Sequence, residues 1–290
     1  MLYEKDIDLY AYFNVPRPEK AQGYLTAFAL DKYPEHASTK IRPAMVVLPG
    51  GGYWMCSQRE GEPIALAYLS HGFQSFYLKY TTASDSEELA KFPTMLIEAA
   101  MAVAYVRINA KKYGVDPEKI AVCGFSAGGH LAASISTMYA DEAILSALKE
   151  NAIYAKPSAS VLCYPVITFV DDAHLGTKQR ATGGDKSKNA ILSPELRADK
   201  NTPIAFIWTT SEDTCVPPIS SLLYAGALSK NGVPFELHVY QKGPHGLALG
   251  TEETSSNPAT DNNLNLDAIE WVDKSVKFLK RNGFICYNEE

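Results

Sequence analysis

The sequence predicts an α/β protein with a mostly parallel central sheet and helices on both faces. Three observations carry this reading. Short continuous apolar runs alternate with segments of helical period from about residue 43 onward. The runs read as strands buried on both faces, because they lack the polar alternation of a half-solvated strand. The connections between them are short, which suits strand–helix–strand crossovers.

The elements follow in order. Residues 1–40 read as strands and turns, antiparallel additions at the sheet edge. Ala44-Met45-Val46-Val47-Leu48 reads as a buried strand, stopped by Pro49-Gly50-Gly51-Gly52. Residues 61–70 read as a helix with Pro63 in its first turn, and 73–80 as a strand. Leu89, Phe92, Leu96, Ala99, Val103 and Val106 recur at spacings of three and four, one apolar helical stripe. Asp116-Pro117 reads as a turn, Ile120 to Cys123 as a strand, and about Ser126 to Ala140 as a helix. Residues 159–164 and 204–209 read as strands, and 217–230 as a helix with Pro217 near its start. Phe235, Leu237 and Val239 alternate with Glu236, His238 and Tyr240 as a strand. Ile269, Val272, Val276 and Leu279 mark the last helix. Residues 166–200 lack a clear period and read as a small insertion or cap over a site. With no repeat and no linker, residues 1–290 read as one domain.

Composition excludes several classes. A hydrophobic content of 46% is too high for intrinsic disorder. A net charge of −6 and a pI near 5.6 argue against nucleic-acid and anionic-membrane partners, which select basic surfaces. The N-terminal residues show no basic segment followed by an apolar core, and no apolar run reaches about 18 residues. Cys56, Cys123, Cys163, Cys215 and Cys286 are odd in number and widely spaced, neither a disulfide framework nor a zinc pattern. The expectation is a soluble, cytoplasmic protein whose partner is a small molecule. The oligomeric state stays open, a homodimer included.

The strongest local signal is Gly124-Phe125-Ser126-Ala127-Gly128, a G-x-S-x-G between a strand and a helix. In that context it reads as a nucleophile elbow, a sharp turn that exposes the serine hydroxyl above the carboxyl end of the sheet. The alternative is a glycine-rich turn that binds an anion at the helix N-terminus. No P-loop lysine and no G-x-G-x-x-G support that alternative. A serine needs a base. Of His36, His71, His130, His174, His238 and His245, the last stands in a loop directly after the final strand, as the base does in the order serine, acid, histidine. His130, one turn beyond Ser126, and His238, within a strand pattern, read as packing residues. Asp213, after the strand ending in Trp208-Thr209, is the acid that orients the imidazole, with Glu212 as its neighbouring alternative. Asp171 and Asp172 also follow a strand, but they lie in the insertion and read as solvated acids.

The intermediate of such a reaction needs backbone N–H donors at its oxyanion. Ala127, after the nucleophile, supplies one. Gly51 and Gly52 of the early glycine loop supply the other, with the Tyr53 N–H as a substitute. Tyr53, Trp54 and Tyr164 are candidates to line the pocket with aromatic faces, against the default reading of such rings as core. The triad supplies its own base, so no metal and no organic cofactor is expected.

Together, Gly124-Phe125-Ser126-Ala127-Gly128-Gly129, Asp213 with Val216-Pro217, His245-Gly246 and the early triple glycine resemble the α/β-hydrolase fold over about residues 40–285. Lipase-type esterases carry a histidine before the glycines, and here Pro49 stands in that place. Pro-Gly-Gly-Gly-Tyr followed by Ser57-x-Arg59-Glu60 is more similar to bacterial acetylxylan-esterase-like and sugar-ester hydrolases. The resemblance implies a serine hydrolase of small carboxylic esters, acetyl esters of a sugar foremost, working through an acyl-enzyme. A peptidase or an amidase of arylformamidase type uses the same triad, and a non-catalytic ligand-binding relative shares the same fold.

Overall fold

In the computed structural model, residues 1–31, 35, 41–170, 174–264 and 266–284 are described. His36, Asp171, Asp172 and Cys286 lie outside them. Among the described residues, eight strands form one sheet: β1 (Leu2–Asp8), β2 (Tyr24–Ala29), β3 (Arg42–Leu48), β4 (Gln74–Lys79), β5 (Val115–Phe125), β6 (Ala159–Cys163), β7 (Ile204–Thr210) and β8 (Phe235–Tyr240). Their order is β1-β2-β4-β3-β5-β6-β7-β8. The six strands from β4 to β8 pair in parallel, and β1 and β2 extend the edge in antiparallel fashion. The helices are α1 (Leu9–Phe13), α2 (Glu62–Ser70), α3 (Thr94–Ile108), α4 (Ala110–Tyr113), α5 (Ala127–Met138), α6 (Glu142–Leu148), α7 (Leu175–Thr182), α8 (Pro194–Arg197), α9 (Ile219–Lys230) and α10 (Trp271–Arg281).

The pleat sorts β3 between two cores. Ala44, Val46 and Leu48 pack on one face with Leu96 and Val103 of α3, Leu131 of α5 and Leu228 of α9. Met45 and Val47 pack on the other with Ile64 and Tyr68 of α2 and Trp271 and Val276 of α10. Successive side chains of a strand point to opposite faces, so a run apolar at every position fills both layers.

Three expectations change. The stripe beginning at Leu89 is helical from Thr94 onward. Proline disfavours helical backbone in the residue before it, and Pro93 stands after Phe92, whose N–H bonds to the Ala181 carbonyl at 3.0 Å. Asp116-Pro117 lies inside β5, whose Val115 pairs with Arg42 before the register shifts. The segment 166–200 holds α7, a 3-10 turn at Lys186–Lys188 and α8.

The N-terminal extension is anchored through Glu98 of α3, which is fully buried. The Tyr10 hydroxyl donates to it at 3.0 Å and the Thr81 N–H at 2.6 Å. Burial pushes this carboxyl up to about 7, against the opposing pull of its Thr81 and Tyr10 donors.

Candidate active site

Ser126 occupies the corner between β5 and α5 with φ 52° and ψ −116°. A side-chain-bearing residue rarely holds such a backbone, and its surroundings over-determine it. Its N–H bonds to the Cys163 carbonyl, and its carbonyl accepts from Val166 and His130, each at 3.0 Å. The flanking glycines are required by close approach. A Cβ on Gly124 would lie 2.2 Å from the Gly128 carbonyl oxygen, and one on Gly128 would lie 2.2 Å from the Leu48 and Pro49 oxygens. The corner is therefore wedged between the ends of β3 and β6.

The structure brings Ser126, His245 and Asp213 into one hydrogen-bonded line. Ser126 Oγ is 2.8 Å from His245 Nε2, and His245 Nδ1 is 2.6 Å from Asp213 Oδ2. The Asp213 side chain is 1% exposed, and its Oδ1 accepts from the N–H groups of Cys215 and Val216 at 2.9 and 2.8 Å. An acceptor-only carboxylate at Nδ1 requires the ring proton there, leaving Nε2 to accept from the serine. Glu212 points elsewhere: it bonds Lys242 Nζ at 2.6 Å and the Gly243 N–H at 3.1 Å, pinning the start of the His245 loop.

The glycine loop abuts this corner, since a Cβ on Gly50 would come within 3.1 Å of Ser126 Cβ. Gly51 and Gly52 have φ +115° and +62°. Their N–H groups have no acceptor among the described residues, and Ala127 opens α5 with no intrahelical partner for its own. Ala127 follows Ser126 directly, and Gly51 and Gly52 follow the Gly50 that packs on it. Helix α7 reaches the loop: Arg180 Nη1 donates to the Gly52 carbonyl at 3.0 Å, and its guanidinium lies over Trp54, 5.4 Å from the ring centroid. Burial holds the His174 imidazole below its usual value, with His245 and Arg180 acting in the same direction.

Two aromatic candidates are buried. Tyr53 is fully buried, its hydroxyl 2.8 Å from His130 Nδ1 and its ring edge-on to Tyr80. Tyr164 is 1% exposed, its ring 5.0 Å from that of His245 and its hydroxyl 2.7 Å from Glu60 Oε1. Trp54 is 47% exposed beside the insertion. His130 packs, as its position suggested: Nε2 bonds the Leu192 carbonyl at 2.7 Å and the ring stacks on Phe169. Burial pushes it down to about 4, so it stays neutral.

A polar cavity of about 120 Å³ opens beside His245, lined by Arg59, Thr251, Ser255, Asp261 and Asn263. A larger groove of about 770 Å³ lies at the opposite end of the strands, between Arg107, Tyr154 and Pro203, and includes none of the residues above. Sequence reasoning missed His174 and Arg180, which carry no local signal. It also assigned no task to Arg59 and Glu60, whose position after the glycine loop was the available clue. Among the described residues no group of three or more His, Cys, Asp or Glu is arranged to hold a metal, and no helix is long and apolar enough to cross a membrane.

The BD-FAE family model matches residues 30–228, a stretch that holds the glycine loop, the Ser126 corner and Asp213. The chain belongs to the BD-FAE family of α/β hydrolases. This BD-FAE chain is 36% identical over 226 residues to endo-1,4-beta-xylanase B of Butyrivibrio fibrisolvens, covering 75% of the chain and 34% of that protein. It is 29% identical over 226 residues to an acetylxylan esterase of Xylanibacter ruminicola, covering 75% of the chain and 43% of that protein. The chain thus spans well under half the length of these two relatives. The crystal structure of an acetyl ester-xyloside bifunctional hydrolase from Caldicellulosiruptor lactoaceticus superposes with a TM-score of 0.76 at 35% identity, covering 90% of this BD-FAE chain and 89% of that one.

Proposed function

We propose that the protein is a serine esterase that cleaves small carboxylic esters, acetyl esters of a sugar foremost. The observation that carries this is the continuous line from Ser126 Oγ through His245 to Asp213, at 2.8 and 2.6 Å. Ser126 Oγ attacks the ester carbonyl carbon as its proton passes to His245 Nε2. The carbonyl oxygen becomes an oxyanion held by the N–H groups of Gly51, Gly52 and Ala127. Collapse breaks the bond to the alcohol oxygen, which leaves with the proton from His245. Water then gives a proton to His245 and attacks the acyl-serine, and a second collapse frees the acid and restores Ser126. Asp213 holds the imidazole in one tautomer throughout and stabilises its cationic form.

Two observations support a sugar as the alcohol. The cavity beside His245 presents hydroxyl, amide and carboxylate groups, which suit a hydroxyl-rich leaving group. The relatives include an acetylxylan esterase and an acetyl ester-xyloside hydrolase. The free thiols of Cys56, Cys123, Cys163 and Cys215 support a reducing, cytoplasmic setting. The test is an ester panel with Ser126→Ala as control. Acetylated xylose and xylo-oligosaccharides are expected to turn over faster than esters of eight or more carbons and than proline anilides, and Ser126→Ala to abolish turnover. Full activity in Ser126→Ala overturns the mechanism, and a long-chain or anilide preference overturns the substrate class.

A further inference from the structure

The 3-10 turn Gln58–Glu60, which follows the glycine loop, has no part in the reaction above. Its two charged residues nevertheless reach both halves of the site. Arg59 donates to the Gly246 carbonyl at 3.3 Å and the Thr254 carbonyl at 2.9 Å, on the far side of the His245 loop. Glu60 is 4% exposed and accepts the Gly50 N–H at 2.9 Å through Oε2. Its Oε1 accepts the Tyr164 hydroxyl at 2.7 Å. That hydroxyl in turn accepts the Ala248 N–H at 2.9 Å. A tyrosine oxygen that receives one proton from Ala248 directs its own proton at Glu60. Both carboxyl oxygens therefore act as acceptors.

We propose that Glu60 is a positioning residue that, through Tyr164, ties the glycine loop to the His245 loop. One buried side chain then sets the separation between the oxyanion donors and the base. Both must stand within a few tenths of an ångström of productive geometry, so a rigid link between them lowers the reorganisation needed during reaction. The titratable groups facing Glu60 are His245, Tyr164, Tyr80 and Cys163, with Arg59 beside it on the chain. Burial raises this carboxyl above its usual value, against the opposing pull of the Tyr164 and Gly50 donors and the nearby His245.

The inference rests on the serine-esterase reading, and the test separates the two. Wild type, Glu60→Gln and Tyr164→Phe are assayed on p-nitrophenyl acetate from pH 5 to 9, after fluorophosphonate labelling of wild type is mapped. Absence of label on Ser126 overturns the esterase reading. With Ser126 labelled, Glu60→Gln is expected to lower kcat about tenfold with KM within about twofold. Tyr164→Phe cuts the link between Glu60 and Ala248, so kcat is expected to fall about fivefold. A Glu60→Gln variant with wild-type kcat overturns the proposal. If Glu60→Gln does not fold, wild-type kcat in Tyr164→Phe overturns it instead.

Discussion

The Arg180 guanidinium donates to the carbonyl of Gly52 at 3.0 Å, so a residue of the insertion fixes a peptide of the glycine loop. The same group bonds the Gly176 carbonyl at 3.3 Å and lies over Trp54. A charge-assisted bond of this kind contributes on the order of 1.5 kcal/mol when partly exposed, close to tenfold in rate. Arg180→Ala is therefore expected to lower kcat/KM for acetyl esters about tenfold while the melting temperature stays within a few degrees. Arg180→Lys recovers part of the loss, because an ammonium on a flexible stem does not reproduce the planar fork. Steady-state kinetics on the three proteins check this, and equal kcat/KM in all three would show that the insertion does not hold the loop.

Asp213 and Glu212 are adjacent, yet only Asp213 faces the imidazole. Asp213→Asn is expected to lower kcat by about 10³–10⁴-fold, because an amide donating to Nδ1 favours the wrong tautomer. Glu212→Gln is expected to stay within about twofold, since its bond is exposed and its amide can still accept from Gly243. Comparable losses in both variants would contradict the assignment of the acid.

Gly51 and Gly52 separate close approach from backbone preference. A Cβ on Gly51 would stand 2.1 Å from the Met55 carbonyl oxygen, and backbone cannot yield there. On Gly52 the nearest atom is 3.7 Å away, so its φ of +62° is the main objection to a side chain. Gly51→Ala displaces the loop and is expected to reduce kcat at least ~100-fold, the scale of a lost oxyanion donor. Gly52→Ala is expected to cost about 1 kcal/mol of stability and less than about tenfold in kcat. Kinetics with urea denaturation distinguish them, and an active Gly51→Ala would remove the loop from the oxyanion site.

Glu98 supplies a pH signature of stability. Its carboxyl is raised from 4.5 to about 7 in the folded protein. Between those values the folded state holds a proton that the unfolded state has released, so stability falls as pH rises and levels off above about 7. The full change is on the order of 3 kcal/mol. Glu98→Gln cannot titrate and lacks this slope. Urea unfolding at pH 5 and pH 8 is expected to show the wild type losing more stability than the variant, and parallel changes would refute the linkage.

The Ser126 corner was legible because its cause is local: a strand, a serine between glycines, and a helix within a few residues. The same holds for β3, whose unbroken apolar run declares burial on both faces. The start of α3 was misjudged because Leu89 and Phe92 keep the helical spacing while Pro93 and the bond from Phe92 to Ala181 hold the chain out of the helix. Tyr53 and Tyr164 looked like pocket residues because an aromatic near a strand end carries no mark of which way it turns.

What the sequence by itself determined is the α/β class, the corner that exposes the serine, and the residue types available for acid and base, since these follow from periodicity and short-range sterics. What the tertiary structure decided is which groups meet. Ser126 and His245 are 119 residues apart, Tyr164 and Glu60 are 104 apart, and Arg180 and Gly52 are 128 apart. Such pairings arise from the order of strands in the sheet and from competition among polar groups for a few buried partners. No local pattern encodes that competition, so Glu60 and Arg180 acquire their meaning when the loops around Ser126 close on one another.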